Sequence, residues 1–67
     1  MKRSGTVLKI FSDKQSGTIL DSNQTEFVFT IFNFSGRVMP TVGANVTFIK
    51  DVDYKTINVA IEVKRAS

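Results

Sequence analysis

Two short stretches decide the fold of this chain: Lys14-Gln15-Ser16-Gly17-Thr18-Ile19 and Glu26-Phe27-Val28-Phe29-Thr30-Ile31. In the second stretch, apolar side chains recur at every other residue, which is the period of a β-strand with one buried face. We therefore predict a strand over Glu26–Phe32. Its inward residues are Phe27, Phe29 and Ile31, and its outward residues are Val28, Thr30 and Phe32. In the first stretch, Gly17 predicts strong coiling or the close approach of another backbone.

Four further runs of β-branched and aromatic residues flank this strand, separated by polar turns at a spacing of roughly ten residues. They predict strands over Thr6–Phe11, Gly17–Leu20, Ala44–Lys50 and Thr56–Val63. No window shows the apolar period of an amphipathic helix, so we expect little or no helix.

In the last two predicted strands, inward and outward residues also alternate. In Ala44–Lys50, Val46 and Phe48 are predicted to point inward. In Thr56–Val63 the predicted inward residues are Ile57, Val59, Ile61 and Val63, and the outward ones are Asn58, Ala60 and Glu62. Phe34 is assigned to the core or to the base of the following loop.

The longest connection, Asn33–Gly43, lies between the third and fourth strands and contains Gly36 and Pro40. Two hairpins, a longer crossover and a final hairpin are typical of an all-β, five-stranded antiparallel Greek-key barrel of the OB type. We expect residues 1–67 to form this single domain. A closed barrel would also remove the exposed strand edges that promote aggregation.

Composition excludes several functions. The 67 residues contain neither histidine nor cysteine, so the usual zinc sites and disulfides are absent. Asp51-Val52-Asp53 supplies too few oxygen ligands for calcium, and no acid–base pair or activated nucleophile is evident. We therefore expect no enzyme activity, no metal and no cofactor. Because no apolar segment is long enough to span a membrane, a cytoplasmic location without membrane contact is the simplest expectation.

The net charge of +3 and a pI near 9.6 suit a polyanionic partner, although charge alone can serve solubility. The order and spacing of several residues resemble the cold-shock domain family over nearly the whole chain. The matching positions are Gly5 and Val7, Ser12-Asp13-Lys14, Gly17 and Ile19, Glu26, Gly43-Ala44-Asn45-Val46-Thr47-Phe48, and Asn58-Val59. The resemblance implies an OB-fold that binds single-stranded RNA or DNA and regulates transcription or translation.

The departures from that family fall on its base-stacking residues. Ser16 and Thr18 stand where the first motif has two phenylalanines. Val28, Thr30 and Ile31 stand where the second motif has phenylalanine, histidine and phenylalanine. The chain thus looks like a divergent member that lacks most of the stacking aromatics.

The first strand permits two alignments with the family. Without a gap, Lys9 takes the position of the family's tryptophan. With a shift of one residue, Lys9-Ile10-Phe11-Ser12 matches K-W-F-N, which keeps the phenylalanine but still loses the tryptophan. The sequence alone leaves both alignments open.

The first functional hypothesis is a nucleic-acid binder with weak, salt-sensitive and mainly electrostatic contacts to single-stranded RNA or DNA. Its candidate residues are Lys9, Lys14, Ser16, Thr18, Val28, Thr30, Phe32 and Lys55. Phe32 is the best candidate for an exposed stacking ring. The alternative is that it packs under the long loop with Val38 or Met39.

The second hypothesis is a protein-interaction module in which the same barrel face forms an aliphatic patch for a protein partner or for a second copy of the chain. Its candidate residues are Leu8, Ile10, Val28, Ile31 and Phe32. Tyr54, in the turn before the last strand, is either a partner contact or a solvated ring.

Overall fold

A computed structural model describes residues 1–66 and contains five strands, in agreement with the sequence analysis. The strands are β1 (Lys2–Phe11), β2 (Ser16–Asp21), β3 (Glu26–Thr30), β4 (Asn45–Lys50) and β5 (Ala60–Arg65). Within the described residues, the only helical segments are two 3₁₀ turns, Ser12–Lys14 and Ile31–Asn33. The expectation of little helix is confirmed for that part of the chain.

The strands form one antiparallel sheet in the order β3-β2-β1-β4-β5. The sheet curls, so that its two outer strands approach each other. Two isolated parallel bridges mark this approach, one between Val28 and Val59 and one between Phe34 and Val63. The result is a curled half-barrel whose concave side holds the core.

The core contains the residues that the alternation placed inward on β3 and β4. Phe27, Phe29, Val46 and Phe48 are all buried. The rings of Phe27 and Phe48 lie with centroids 4.9 Å apart at an interplanar angle of 57°, a favourable tilted arrangement. The rest of the buried apolar set is Val7, Ile19, Phe34, Ala60 and Val63. The assignment of Phe34 to the core is confirmed.

Gly17 lies on the concave side of β2, where there is no room for a side chain. A Cβ atom on this residue would lie 2.6 Å from the carbonyl oxygen of Lys9 and 2.9 Å from the ring of Phe29. The predicted close approach is therefore present. It brings β1 and β3 tightly around β2 and fixes the strands that carry the candidate site.

The facing pattern predicted for the last strand is wrong. The strand begins at Ala60 rather than Thr56, Ala60 is buried, and Ile57 is exposed. Glu62 adopts a φ of 51°, and the pairing of β5 with β4 shifts register between Thr47 and Ile49. This β-bulge adds one residue to β5 and reverses the alternation, so only Val63 of the proposed stripe is fully buried.

The third strand also ends earlier than predicted. β3 stops at Thr30, and the chain turns through Ile31–Asn33. Ile31 still packs against the core, as its shared face with Phe27 and Phe29 implied. Within residues 1–66, no helix is both long and apolar enough to cross a membrane.

Candidate functional site

The convex sides of β1, β2 and β3 present two parallel rows of side chains. Strand pairing places Phe11 opposite Ser16 and Ser16 opposite Thr30. It also places Lys9 opposite Thr18 and Thr18 opposite Val28. Because directly paired residues share one side of a sheet, each set forms a row. We call these six residues the outer face: Lys9, Phe11, Ser16, Thr18, Val28 and Thr30.

A β-bulge in β1 determines which residues reach this face. Val7 pairs with Ile19 but Lys9 pairs with Thr18, so Leu8 is one residue more than β2 can match. After the bulge, Ile10 packs against the core while Lys9 and Phe11 are exposed. The phenylalanine at position 11 thereby becomes part of the outer face.

Two phenylalanine rings are accessible: Phe11 lies within the outer face, and Phe32 follows the end of β3 and lines a groove with Glu62 and Lys64 of β5. Phe32 is 89% exposed and Phe11 is 40% exposed. The 3₁₀ turn that carries Phe32 is held by a hydrogen bond from the backbone N–H of Ile31 to the carbonyl oxygen of Gln15, at 2.9 Å. The alternative in which Phe32 packs under the long loop is therefore not what the structure shows.

Three lysines predicted for the site lie within this face or on segments connected to it. Lys9 is exposed within it, and Lys14 is exposed in the adjoining 3₁₀ turn. Lys55 is exposed in the loop between β4 and β5, which is tied to β3 where the backbone N–H of Val28 donates to the carbonyl oxygen of Asn58, at 2.9 Å. Within residues 1–66 the ion pair recorded is Arg3–Asp21 at 3.7 Å, so these lysines contact no carboxylate there.

In the middle of the outer face, the exposed fraction of one side chain is lower than expected. Thr18 was assigned to an accessible surface, but it is only 6% exposed. Its side chain projects to the convex side, in the row between Lys9 and Val28. Val28 and Thr30 are exposed and Ser16 is half-buried.

The aliphatic patch proposed for protein binding is smaller than predicted. Leu8, Val28 and Phe32 are exposed, but Ile10 and Ile31 pack against the core. The exposure assigned to those two isoleucines is wrong because the bulge turns Ile10 inward and Ile31 keeps the inward facing of β3. Both instead line a groove of about 500 Å³ beneath the long loop, together with Arg37, Val38, Met39 and Val42.

Sequence reasoning missed Phe11 as a site residue. The shifted alignment of the first strand kept this phenylalanine, which was the one available indication. Tyr54 is half exposed in the loop between β4 and β5, and Ile57 is exposed in the same loop. Within residues 1–66, no group of three or more acidic side chains is placed to hold a metal ion.

Neither the scan against protein-family models nor the search of curated proteins found a match to this chain. The function must therefore be argued from the outer face itself.

Proposed function

We propose that the chain is a Greek-key barrel of the OB type, similar to the cold-shock domains, that binds single-stranded RNA or DNA weakly through its outer face. The barrel is supported by the strand order and by two parallel bridges, one joining β3 to the residue before β5 and one joining β5 to the segment after β3. The observation that carries the function is the exposure of the Phe11 ring in the same face as Lys9, with Lys14 exposed in the adjoining turn and Phe32 exposed just beyond the end of β3.

The chemistry of this surface suits a single strand. Stacking of a base on an aromatic ring contributes ~1–3 kcal/mol and tolerates any base, because every base has a π-face. Lysines near the rings bind the phosphates that connect the stacked bases. A duplex hides its base faces, so the exposed rings favour an unpaired ligand.

The stacking free energy per base also predicts that binding is weak. Two rings supply about 2–6 kcal/mol of stacking, which alone corresponds to a dissociation constant of about tens of micromolar or weaker. If Lys9, Lys14 and Lys55 each neutralise one phosphate, the logarithm of the affinity falls against the logarithm of salt concentration with a slope of about −2. A dispersed set of lysines and two rings give little base selectivity.

A charge-matched pair of variants tests the proposal. The protein is titrated with a single-stranded oligonucleotide of about eight residues, within the ~4–16 nucleotides that an OB-fold covers. Lys9→Gln with Lys14→Gln is compared with Lys2→Gln with Lys50→Gln. Both double variants remove two positive charges from a chain of net charge +3, but the control pair lies where β1 pairs with β4, away from the exposed phenylalanine rings.

We expect the outer-face variant to bind weakly with a shallower salt slope, and the control variant to bind nearly as the unaltered protein does. Equal losses in both variants would mean that net charge alone attracts the ligand. No binding by the unaltered protein at low salt would refute the proposal.

A second candidate function is self-association through the exposed apolar side chains. Leu8, Val28 and Phe32 lie on or next to the outer face, and neighbouring exposed apolar residues commonly mark protein interfaces. Val28→Lys separates the two functions. It would abolish a dimer measured by sedimentation, whereas added positive charge would preserve or strengthen nucleic-acid binding.

A further inference from the structure

One hydroxyl group on the outer face has no hydrogen-bond partner in the part of the chain that the structure describes. Thr18 is buried, and its Oγ1 atom contacts no donor or acceptor among the described residues. A hydroxyl that has lost contact with water and gained no partner destabilises the folded state. Most buried polar side chains in native proteins do have a partner, so this exception calls for an explanation.

The structure offers no packing reason for a hydroxyl at this position. Valine has the same β-branched shape as threonine and an equal preference for strands, and it would remove the unpaired group. Where a chain keeps a locally unfavourable feature, the feature often belongs to a functional site. Thr18 lies in the middle of the face already proposed to bind nucleic acid.

The neighbours of Thr18 suggest how a ligand reaches it. Lys9 and Val28 flank it in its own row, and Phe11 is a diagonal neighbour in the next row. Lys9 has a long, exposed and flexible side chain. Because Lys9 is paired with Thr18 across the two strands, a phosphate that draws the Lys9 ammonium away from the sheet would give a ligand more access to this hydroxyl.

We infer that Thr18 contacts the ligand directly: its hydroxyl hydrogen-bonds the polar edge of a nucleobase that is stacked on Phe11. This inference rests on the proposed function. The base is the better partner because the adjacent ammonium of Lys9 competes for phosphate, whereas a hydroxyl both donates and accepts and so pairs with any base edge. The contact adds affinity without selecting one base.

The test uses Thr18→Val with Thr6→Val as its control. Thr6 is also a strand threonine, but its Oγ1 has a partner, donating to Oδ1 of Asn45 at 3.3 Å. The two probes are an oligodeoxythymidine of about eight residues and an abasic deoxyribose-phosphate oligomer of the same length, within the ~4–16 nucleotides of an OB-fold site.

We expect Thr18→Val to raise the melting temperature by about 4–8 °C, because it removes one unpaired hydroxyl. It should weaken binding of the thymidine oligomer about three- to tenfold and leave binding of the abasic oligomer unchanged. Thr6→Val should not raise the melting temperature and should bind both probes normally.

Four outcomes would overturn the inference. A lower melting temperature for Thr18→Val would mean that the hydroxyl is already satisfied in the free protein. Unchanged binding of the thymidine oligomer would refute the contact while leaving the proposed function intact. Equal weakening for both probes would assign the contact to phosphate. Failure of the unaltered protein to bind the thymidine oligomer would refute the inference and the proposed function together.

Discussion

The two sides of β2 and β3 are built on the same backbone but are packed very differently. On the concave side, Phe27, Phe29 and Ile19 are buried, and Gly17 leaves no space for a methyl group. On the convex side, Val28 is 43% exposed and the buried Thr18 hydroxyl has no hydrogen-bond partner among residues 1–66. The concave side meets every requirement of a stable core, whereas the convex side keeps features that stability alone disfavours. This difference is why we assign the proposed binding surface to the convex side.

The contrast between the two sides is wrong if a buried side chain on the concave side can be truncated without loss of stability. Phe29→Ala should lower the free energy of unfolding by about 3–5 kcal/mol, because it removes a fully buried ring and leaves a cavity. A domain of this size has little stability to lose, so the variant should be largely unfolded at 25 °C. Val28→Ala, one residue away on the convex side, should change stability by about 0.5 kcal/mol or less. Urea denaturation followed by circular dichroism measures both, and similar midpoints would contradict the comparison.

The tight packing around Gly17 predicts a loss of stability that is smaller than the loss caused by Phe29→Ala. Gly17→Ala should destabilise the fold by about 1–3 kcal/mol, because the added Cβ would meet the backbone oxygen of Lys9 at 2.6 Å. The neighbouring substitution Ser16→Ala, on the convex side, is the control and should be nearly neutral. Thermal unfolding of both variants measures the difference. A melting temperature for Gly17→Ala at or above that of the unaltered protein would show that β1 and β2 can separate freely.

The convex side is tested by a change in binding without a change in stability. Phe32→Ala should weaken binding of a single-stranded oligonucleotide by ~1–3 kcal/mol, roughly 5- to 150-fold, through loss of one stacking ring. Its free energy of unfolding should stay within about 0.5 kcal/mol of the original, since the ring is 89% exposed. Val52→Ala, also exposed but in the loop between β4 and β5, should alter neither quantity. If Phe32→Ala unfolds the protein, the ring belongs to the core and not to a binding surface.

The alternation in β3 could be predicted from the sequence because its backbone is regular. Phe27 and Phe29 point inward as the period of two requires, and the alternating residues Val28 and Thr30 are exposed. In β5 the same rule failed, because Glu62 adopts a left-handed conformation and inserts a bulge. Glutamate gives no indication of such a position, which is one that glycine usually occupies.

The candidate site was predictable only in part for a related reason. The exposure of Phe32 depends on how the long loop packs, and the burial of Thr18 depends on side chains of two other strands. Phe11 faces outward because of the bulge at Leu8. These are non-local properties, and no local pattern of residues encodes them.

The bulge at Leu8 also has a consequence for how the length of this chain can be changed. β1 contains one residue more than its partner between Val7 and Lys9. An insertion at this point lengthens the chain without disturbing the ladder on either side, because the extra residue loops out of the pairing. Leu8 is therefore the residue of β1 that the pairing with β2 leaves unmatched. Deleting Leu8 would restore an even ladder and is the most conservative way to shorten this chain by one residue.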